Sequence, residues 1–120
     1  MCPVLVNEIA LCPGNYYDIY PCKSVNACRN GTIKVHNYEN NIDQNWIIDP
    51  DCAMVHIWSE FINIEPAIDF LVVNNVGYTG TEAIDQLIPA NFTVTFLTDS
   101  FGETTIDDGF VLNWICKDKL

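Results

Sequence analysis

Large apolar residues recur at every second position along two segments near the end of the chain. Residues 92–96 read Phe-Thr-Val-Thr-Phe, and residues 110–114 read Phe-Val-Leu-Asn-Trp. Because successive side chains of a strand point to opposite faces, a period of two predicts strands with one buried face. Shorter runs of this kind, separated by Asn, Asp, Gly and Pro, recur from residue 29 onward. The chain is therefore predicted to be all-β, with the short strands and turns typical of a sandwich.

Six cysteines form the second constraint on the chain. Their number is even, they are spread widely, and no Cys-x-x-Cys pair occurs, so the usual spacings of zinc ribbons and redox motifs are missing. Disulfides are the better interpretation, and they indicate an oxidising, extracellular compartment. Spacing alone cannot choose among the possible pairings of Cys2, Cys12, Cys22, Cys28, Cys52 and Cys116.

Two N-glycosylation sequons favour the same compartment. Asn30 and Asn91 each stand two residues before a threonine, the pattern of acceptor sites on secreted proteins.

No run of about 18 apolar residues is present, so a membrane-spanning helix is not predicted. The first residues lack the basic and long apolar regions of a signal peptide, and we expect a mature, secreted chain.

Charge and motif content narrow the class of function. Sixteen acidic and five basic residues give a formal net charge of -11, which disfavours nucleic acid and anionic membranes as partners and favours cations and basic surfaces. Only two histidines and three serines occur, and no hydrolase, zinc-protease or nucleotide-binding motif is present. We expect a protein that binds rather than catalyses.

The first part of the chain differs from the remainder. Residues 1–27 hold three of the six cysteines and a cluster of tyrosines. We predict a loop-rich, disulfide-rich extension over this range, with one short strand from Pro3 to Val6. Residues 28–120 are predicted to form the β-sandwich domain.

Several short motifs follow one another in a particular order between Cys28 and Cys116. They are Asn37-Tyr38, Trp46-Ile47-Ile48, Phe61-Ile62-Asn63-Ile64-Glu65, Asp69-Phe70-Leu71-Val72-Val73, Phe96-Leu97-Thr98-Asp99 and Asp108-Gly109-Phe110. This order resembles that of the CUB domain, an extracellular antiparallel β-sandwich of jelly-roll type. The chain departs from the family pattern because it lacks the second family disulfide and carries the extension before Cys28.

The resemblance implies a calcium site at Glu65, Asp69 and Asp99. Calcium takes six to eight hard oxygen ligands, and three carboxylates on neighbouring loops would supply many of them. Backbone carbonyls, such as those of Ser100 or Phe101, could add to the set. The simpler alternative is that the three acids are ordinary exposed turn residues.

The resemblance also implies a disulfide between Cys28 and Cys52. If all cysteines were bridged within the chain, one of the three N-terminal cysteines would then bond to Cys116. The extension would in that case be attached covalently to the last strand.

Three functional hypotheses follow from the sequence. The first is a secreted interaction module in which calcium orders loops that contact an extracellular protein. The second is a repeating subunit of an extracellular coat or filament, in which the apolar segment Val4-Leu5-Val6 pairs with an identical subunit. The third is glycan binding through exposed aromatic side chains. Tyr78 and Trp58 are the candidate contact residues for a protein or carbohydrate partner.

Overall fold

A computed structural model of the chain describes residues 8–11, 16–20, 22–99 and 108–117. These residues form strands, turns and loops, and none of them lies in a helix. The prediction of an all-β fold is confirmed. The strands are β1 (Glu8–Leu11), β2 (Tyr16–Tyr20), β3 (Lys23–Asn26), β4 (Asn30–His36), β5 (Asp43–Ile48), β6 (Met54–Asn63), β7 (Phe70–Val73), β8 (Val76–Tyr78), β9 (Asp85–Pro89), β10 (Phe92–Leu97) and β11 (Gly109–Lys117).

The strands form two sheets that pack into a sandwich. The first sheet has the order β1-β4-β11-β6-β9, and the second has the order β2-β3-β5-β10-β7-β8. Within the described residues, the strand pairs of both sheets are antiparallel, except for β3 and β5, which run parallel. Strand β11 lies between β4 and β6, in the middle of the first sheet.

The alternating segments supply the core between the two sheets. Phe92, Val94 and Phe96 on β10 are buried, whereas the intervening Thr93 is exposed. The ring of Phe96 meets that of Phe110 on β11 edge to face, with centroids 5.1 Å apart. Contacts of this kind join the two sheets and add to the free energy gained by burial.

The N-terminal segment differs from the predicted loop-rich extension. Strand β1 pairs antiparallel with β4 in the first sheet, and β3 pairs parallel with β5 in the second. Residues before Cys28 therefore extend both sheets of the sandwich. The strands here are four or five residues long, too short for a clear period of two to stand out in the sequence. The predicted strand from Pro3 to Val6 lies outside the described residues.

The disulfide pairing implied by the family resemblance is wrong. Cys52 bonds to Cys116, with their Cα atoms 6.0 Å apart. The reason is the register of β6 and β11, which places Cys116 opposite Val55 and so beside the loop that carries Cys52. Cys116 is thus not the partner of an N-terminal cysteine. Cys22 and Cys28 each take part in a disulfide. Cys2 and Cys12 lie outside the described residues.

Candidate metal centre

The structure brings together the three acids that are predicted from the sequence to bind calcium. One carboxylate oxygen from each of Glu65, Asp69 and Asp99 lies within 4.8 Å of the other two. Two oxygens bound to one calcium ion at 2.3–2.6 Å are at most about 5 Å apart. The spacing of this acidic triad therefore fits three ligands of a single ion.

Strand pairing explains why residues so far apart in sequence meet. Asp69 directly precedes β7, and Asp99 follows the end of β10. These strands are antiparallel, with Leu97 opposite Phe70, so the end of β10 lies beside the start of β7. The carbonyl of Asp99 also accepts a hydrogen bond of 2.7 Å from the backbone N–H of Asn41. This bond fixes the loop that carries Asp99.

A tight turn places Glu65 next to Asp69. The backbone N–H of Asp69 donates to the carbonyl of Glu65 at 3.0 Å, and Ala67 within the turn has a positive φ of 61°. The hydroxyl of Thr79 donates to the carbonyl of Asp69 at 2.7 Å and accepts from the N–H of Ala67 at 2.8 Å. The three-residue connection between the two acids is therefore held in a defined conformation.

Asp69 is the buried member of the triad. It is only 2% exposed, and its two carboxylate oxygens accept hydrogen bonds from the hydroxyl of Tyr38 (2.6 Å) and from the N–H of Asp99 (3.1 Å). No cationic side chain in the described part of the chain pairs with it. A carboxylate oxygen can accept more than one partner, so both oxygens keep capacity for a cation. A buried carboxylate without a counter-charge is costly, which favours a bound cation here.

Tyr38 connects two members of the triad. Its hydroxyl donates to Asp69 and accepts a hydrogen bond of 3.2 Å from the backbone N–H of Glu65. Burial and then the hydrogen bond to Asp69 raise the pKa of Tyr38, so its hydroxyl stays protonated and remains a donor. The sequence motif Asn37-Tyr38 contributed to the family resemblance, but nothing in it indicated this role.

A fourth acid adds to the negative charge. Desolvation, followed by the charges of Asp99, Asp69 and Asp108, raises the pKa of Glu65. Asp108 immediately precedes β11, where its carboxylate accepts a hydrogen bond of 3.3 Å from the side chain of Asn63. No motif in the sequence indicated that Asp108 would lie near these three acids. Oxygen ligands of this kind suit a hard divalent cation.

The other candidate residues lie apart from one another. Trp58 is half-buried on β6 of the first sheet and stacks on His56 with ring centroids 4.9 Å apart. Tyr78 is half-buried on β8 of the second sheet, so the structure does not combine the two aromatic residues into one surface. Both sequon asparagines, Asn30 and Asn91, are exposed. Ser100 and Phe101, proposed above as carbonyl ligands, lie outside the described residues.

Comparisons with known proteins give no family for this chain. No protein-family model and no curated protein matches it. The resemblance to the CUB domain therefore stays a prediction. In the residues that the structure describes, no helix is long and apolar enough to span a membrane.

Proposed function

We propose that the chain is a secreted, non-enzymatic, CUB-like module that binds calcium at Glu65, Asp69 and Asp99 and contacts an extracellular protein beside this site. The observation that carries the proposal is the convergence of the three carboxylates around the buried, unneutralised Asp69. The disulfide between Cys52 and Cys116 fits an oxidising compartment.

The ligand set favours calcium over other common ions. Zinc sites use mainly cysteine and histidine, and the triad contains neither. Magnesium demands near-ideal octahedral geometry and usually keeps several waters, whereas calcium accepts six to eight oxygens in flexible arrangements. A site built from a turn and a separate loop suits the more tolerant ion.

Calcium would act here by joining two segments. Glu65 and Asp69 belong to the turn between β6 and β7, while Asp99 belongs to the loop after β10. A shared ion holds this turn and this loop in one arrangement and so presents an ordered surface to a partner. The chain has a formal net charge of -11, which favours a partner that offers a lysine or arginine side chain.

Calorimetric titration of calcium into the full chain tests the proposal. In an excess of about ten- to a hundredfold over the dissociation constant, we expect calcium to raise the free energy of unfolding by about 1.4–2.7 kcal/mol. Asp99→Asn should remove most of this gain, because it replaces a charged ligand with a neutral amide. Asp49→Asn is the matched control, since Asp49 is an exposed acid in the loop after β5. Absence of binding heat, together with an unchanged response in Asp99→Asn, would contradict the proposal.

The response to calcium should depend on pH. The pKa of Glu65 is raised in the folded chain. At pH values between the ordinary pKa and this raised pKa, the folded state therefore binds more protons than the unfolded state. Without calcium, this group therefore makes stability fall as pH rises through that window. Calcium favours the ionised form, so its stabilising effect should grow over the same window. Thermal unfolding from pH 4 to 8, with calcium or with chelator, measures this difference.

Glu65→Gln provides the control for the pH experiment. The amide does not titrate, so the stabilisation by calcium should be weaker and should lose the part of its pH dependence that comes from Glu65. An equally steep dependence in this variant would assign the titration to another group.

A further inference from the structure

The outer face of the first sheet, turned away from the second sheet, carries a pocket. Three neighbouring strands, β6, β11 and β4, place two adjacent rows of side chains on this face. The rows are Trp58-Asn113-Thr32 and His56-Ile115-Asn30. The pocket has a volume of about 250 Å³, and its lining includes Asn30, Trp58, Asn113 and Ile115. This volume is below the range of about 300–1,000 Å³ for drug-sized ligands, so the pocket suits a small ligand.

Apolar and polar groups both line the pocket. Ile115 is 38% exposed, and the half-buried ring of Trp58 is held by its stacking on His56. Asn113 is only 7% exposed; its amide donates to Glu60 at 3.0 Å and accepts from the hydroxyl of Thr32 at 2.6 Å. A pyranose ring has the matching chemistry, with an apolar C–H face and a polar rim. An aromatic plane beside a fixed amide is suited to bind it.

The sequon begins at the rim of this pocket. Asn30 is exposed and lines the pocket, and Gly31 and Thr32 complete the acceptor pattern. We propose that Asn30 is N-glycosylated and that the first N-acetylglucosamine of its glycan binds in this pocket against Trp58 and Ile115. The covalent link holds the sugar at a high effective concentration, so even a weak contact would be occupied.

The modification uses a lipid-linked diphosphate oligosaccharide as its donor. The amide nitrogen of Asn30 forms a bond to C1 of the first sugar and loses one proton, and the lipid diphosphate leaves from C1. In the folded chain the hydroxyl of Thr32 is bonded to Asn113. The sequon is therefore presented most readily before the first sheet has formed, and the sugar reaches its pocket as β4 pairs with β11.

The second sequon provides a comparison within the same chain. Asn91 is exposed in the turn between β9 and β10, with a positive φ of 65°. Where β6 pairs with β9, Trp58 lies opposite Asp85, whereas Asn91 follows Pro89, which lies opposite Met54 at the other end of the pairing. The effect of a sugar on Asn91 is therefore not expected to depend on Trp58.

The test uses the full chain secreted from cells that add high-mannose glycans. Asn91→Gln leaves Asn30 as the acceptor, and an endoglycosidase then trims its glycan to one N-acetylglucosamine. We expect mass spectrometry to find Asn30 modified, and the trimmed protein to melt about 3 °C above the Asn30→Gln/Asn91→Gln protein. With Trp58→Ala added to both proteins, the difference should fall below about 1 °C. The Asn30→Gln protein carries its trimmed sugar on Asn91. Any gain in melting temperature from that sugar should be the same with and without Trp58.

Two outcomes would overturn the proposal. One is an unmodified Asn30, and the other is a gain in melting temperature that is the same with and without Trp58. Nuclear Overhauser effects between the acetyl methyl protons and the indole protons of Trp58 give a second measurement that needs no aromatic substitution. Their presence supports the proposed position of the sugar, and their absence in the modified protein contradicts it.

Discussion

Tyr38→Phe is expected to lower the free energy of unfolding by about 1.5–3 kcal/mol in the presence of a chelator. The substitution removes the hydroxyl that donates to the buried carboxylate of Asp69 at 2.6 Å and accepts from the N–H of Glu65. Burial keeps water from replacing the lost donor, so the charge on Asp69 loses a partner. Urea denaturation of the two proteins measures the change.

Tyr78→Phe is the matched control for this substitution. Tyr78 is half-buried on β8, and its hydroxyl makes no hydrogen bond within the described residues. Its removal should change stability by no more than about 0.5 kcal/mol. A loss of similar size in both variants would show that the hydrogen bond to Asp69 contributes little.

Calcium should reduce the cost of Tyr38→Phe. An ion bound by Asp69 supplies the positive charge that the hydroxyl dipole otherwise provides in part. The difference in stability between the variant and the unchanged chain should therefore be smaller in calcium than in chelator. An equal difference in both conditions would indicate that the ion and the hydroxyl act on Asp69 independently.

The core strands were predictable because their signal is local. In β10, buried positions alternate with more exposed ones over six residues, and that pattern depends only on strand geometry. Strand β11 was placed correctly by its large apolar residues, but the prediction of one buried face is wrong there, because every position from Gly109 to Trp114 is buried. The position of the acidic triad was predictable for a related reason. Each acid stands next to the end of a strand, and the order of the strands in the family resemblance implied that these ends would meet. The structure brings them within 4.8 Å.

The N-terminal strands were not predictable in the same way. Strand β3 pairs with β5 in parallel, and β1 pairs with β4 across about twenty residues of intervening chain. Such pairings depend on which sheet edge is available in the folded chain, and short segments carry little information about that choice. The prolines and cysteines around these strands favoured loops in the sequence.

The roles of Tyr38 and Asp108 were hidden for another reason. Each is a single residue whose function depends on what the fold places beside it, rather than on a repeating pattern. Tyr38 meets Asp69 across 31 positions of the chain. A buried donor aimed at a buried carboxylate can be recognised only when both positions are known.

The pairing of Cys52 with Cys116 likewise depends on tertiary structure, because the register of β6 and β11 decides it. We expect the double substitution Cys52→Ala/Cys116→Ala to lower the free energy of unfolding by about 4 kcal/mol. The bond closes a loop with a sequence separation of 64, and the chain-entropy model assigns about this value to a cross-link of that length. Urea denaturation under non-reducing conditions measures the loss, with the other disulfides intact.

Comparison with Cys52→Ser/Cys116→Ser separates the cross-link from side-chain packing. Both cysteines are partly buried against the core, so a packing effect would make the losses of the two double variants differ. A cross-link acts mainly on the unfolded chain and should give similar losses in both. The urea dependence of unfolding should also steepen in both variants, because the unfolded chain becomes less compact without the bond. A loss below about 1 kcal/mol with an unchanged urea dependence would contradict a dominant entropic role for this disulfide.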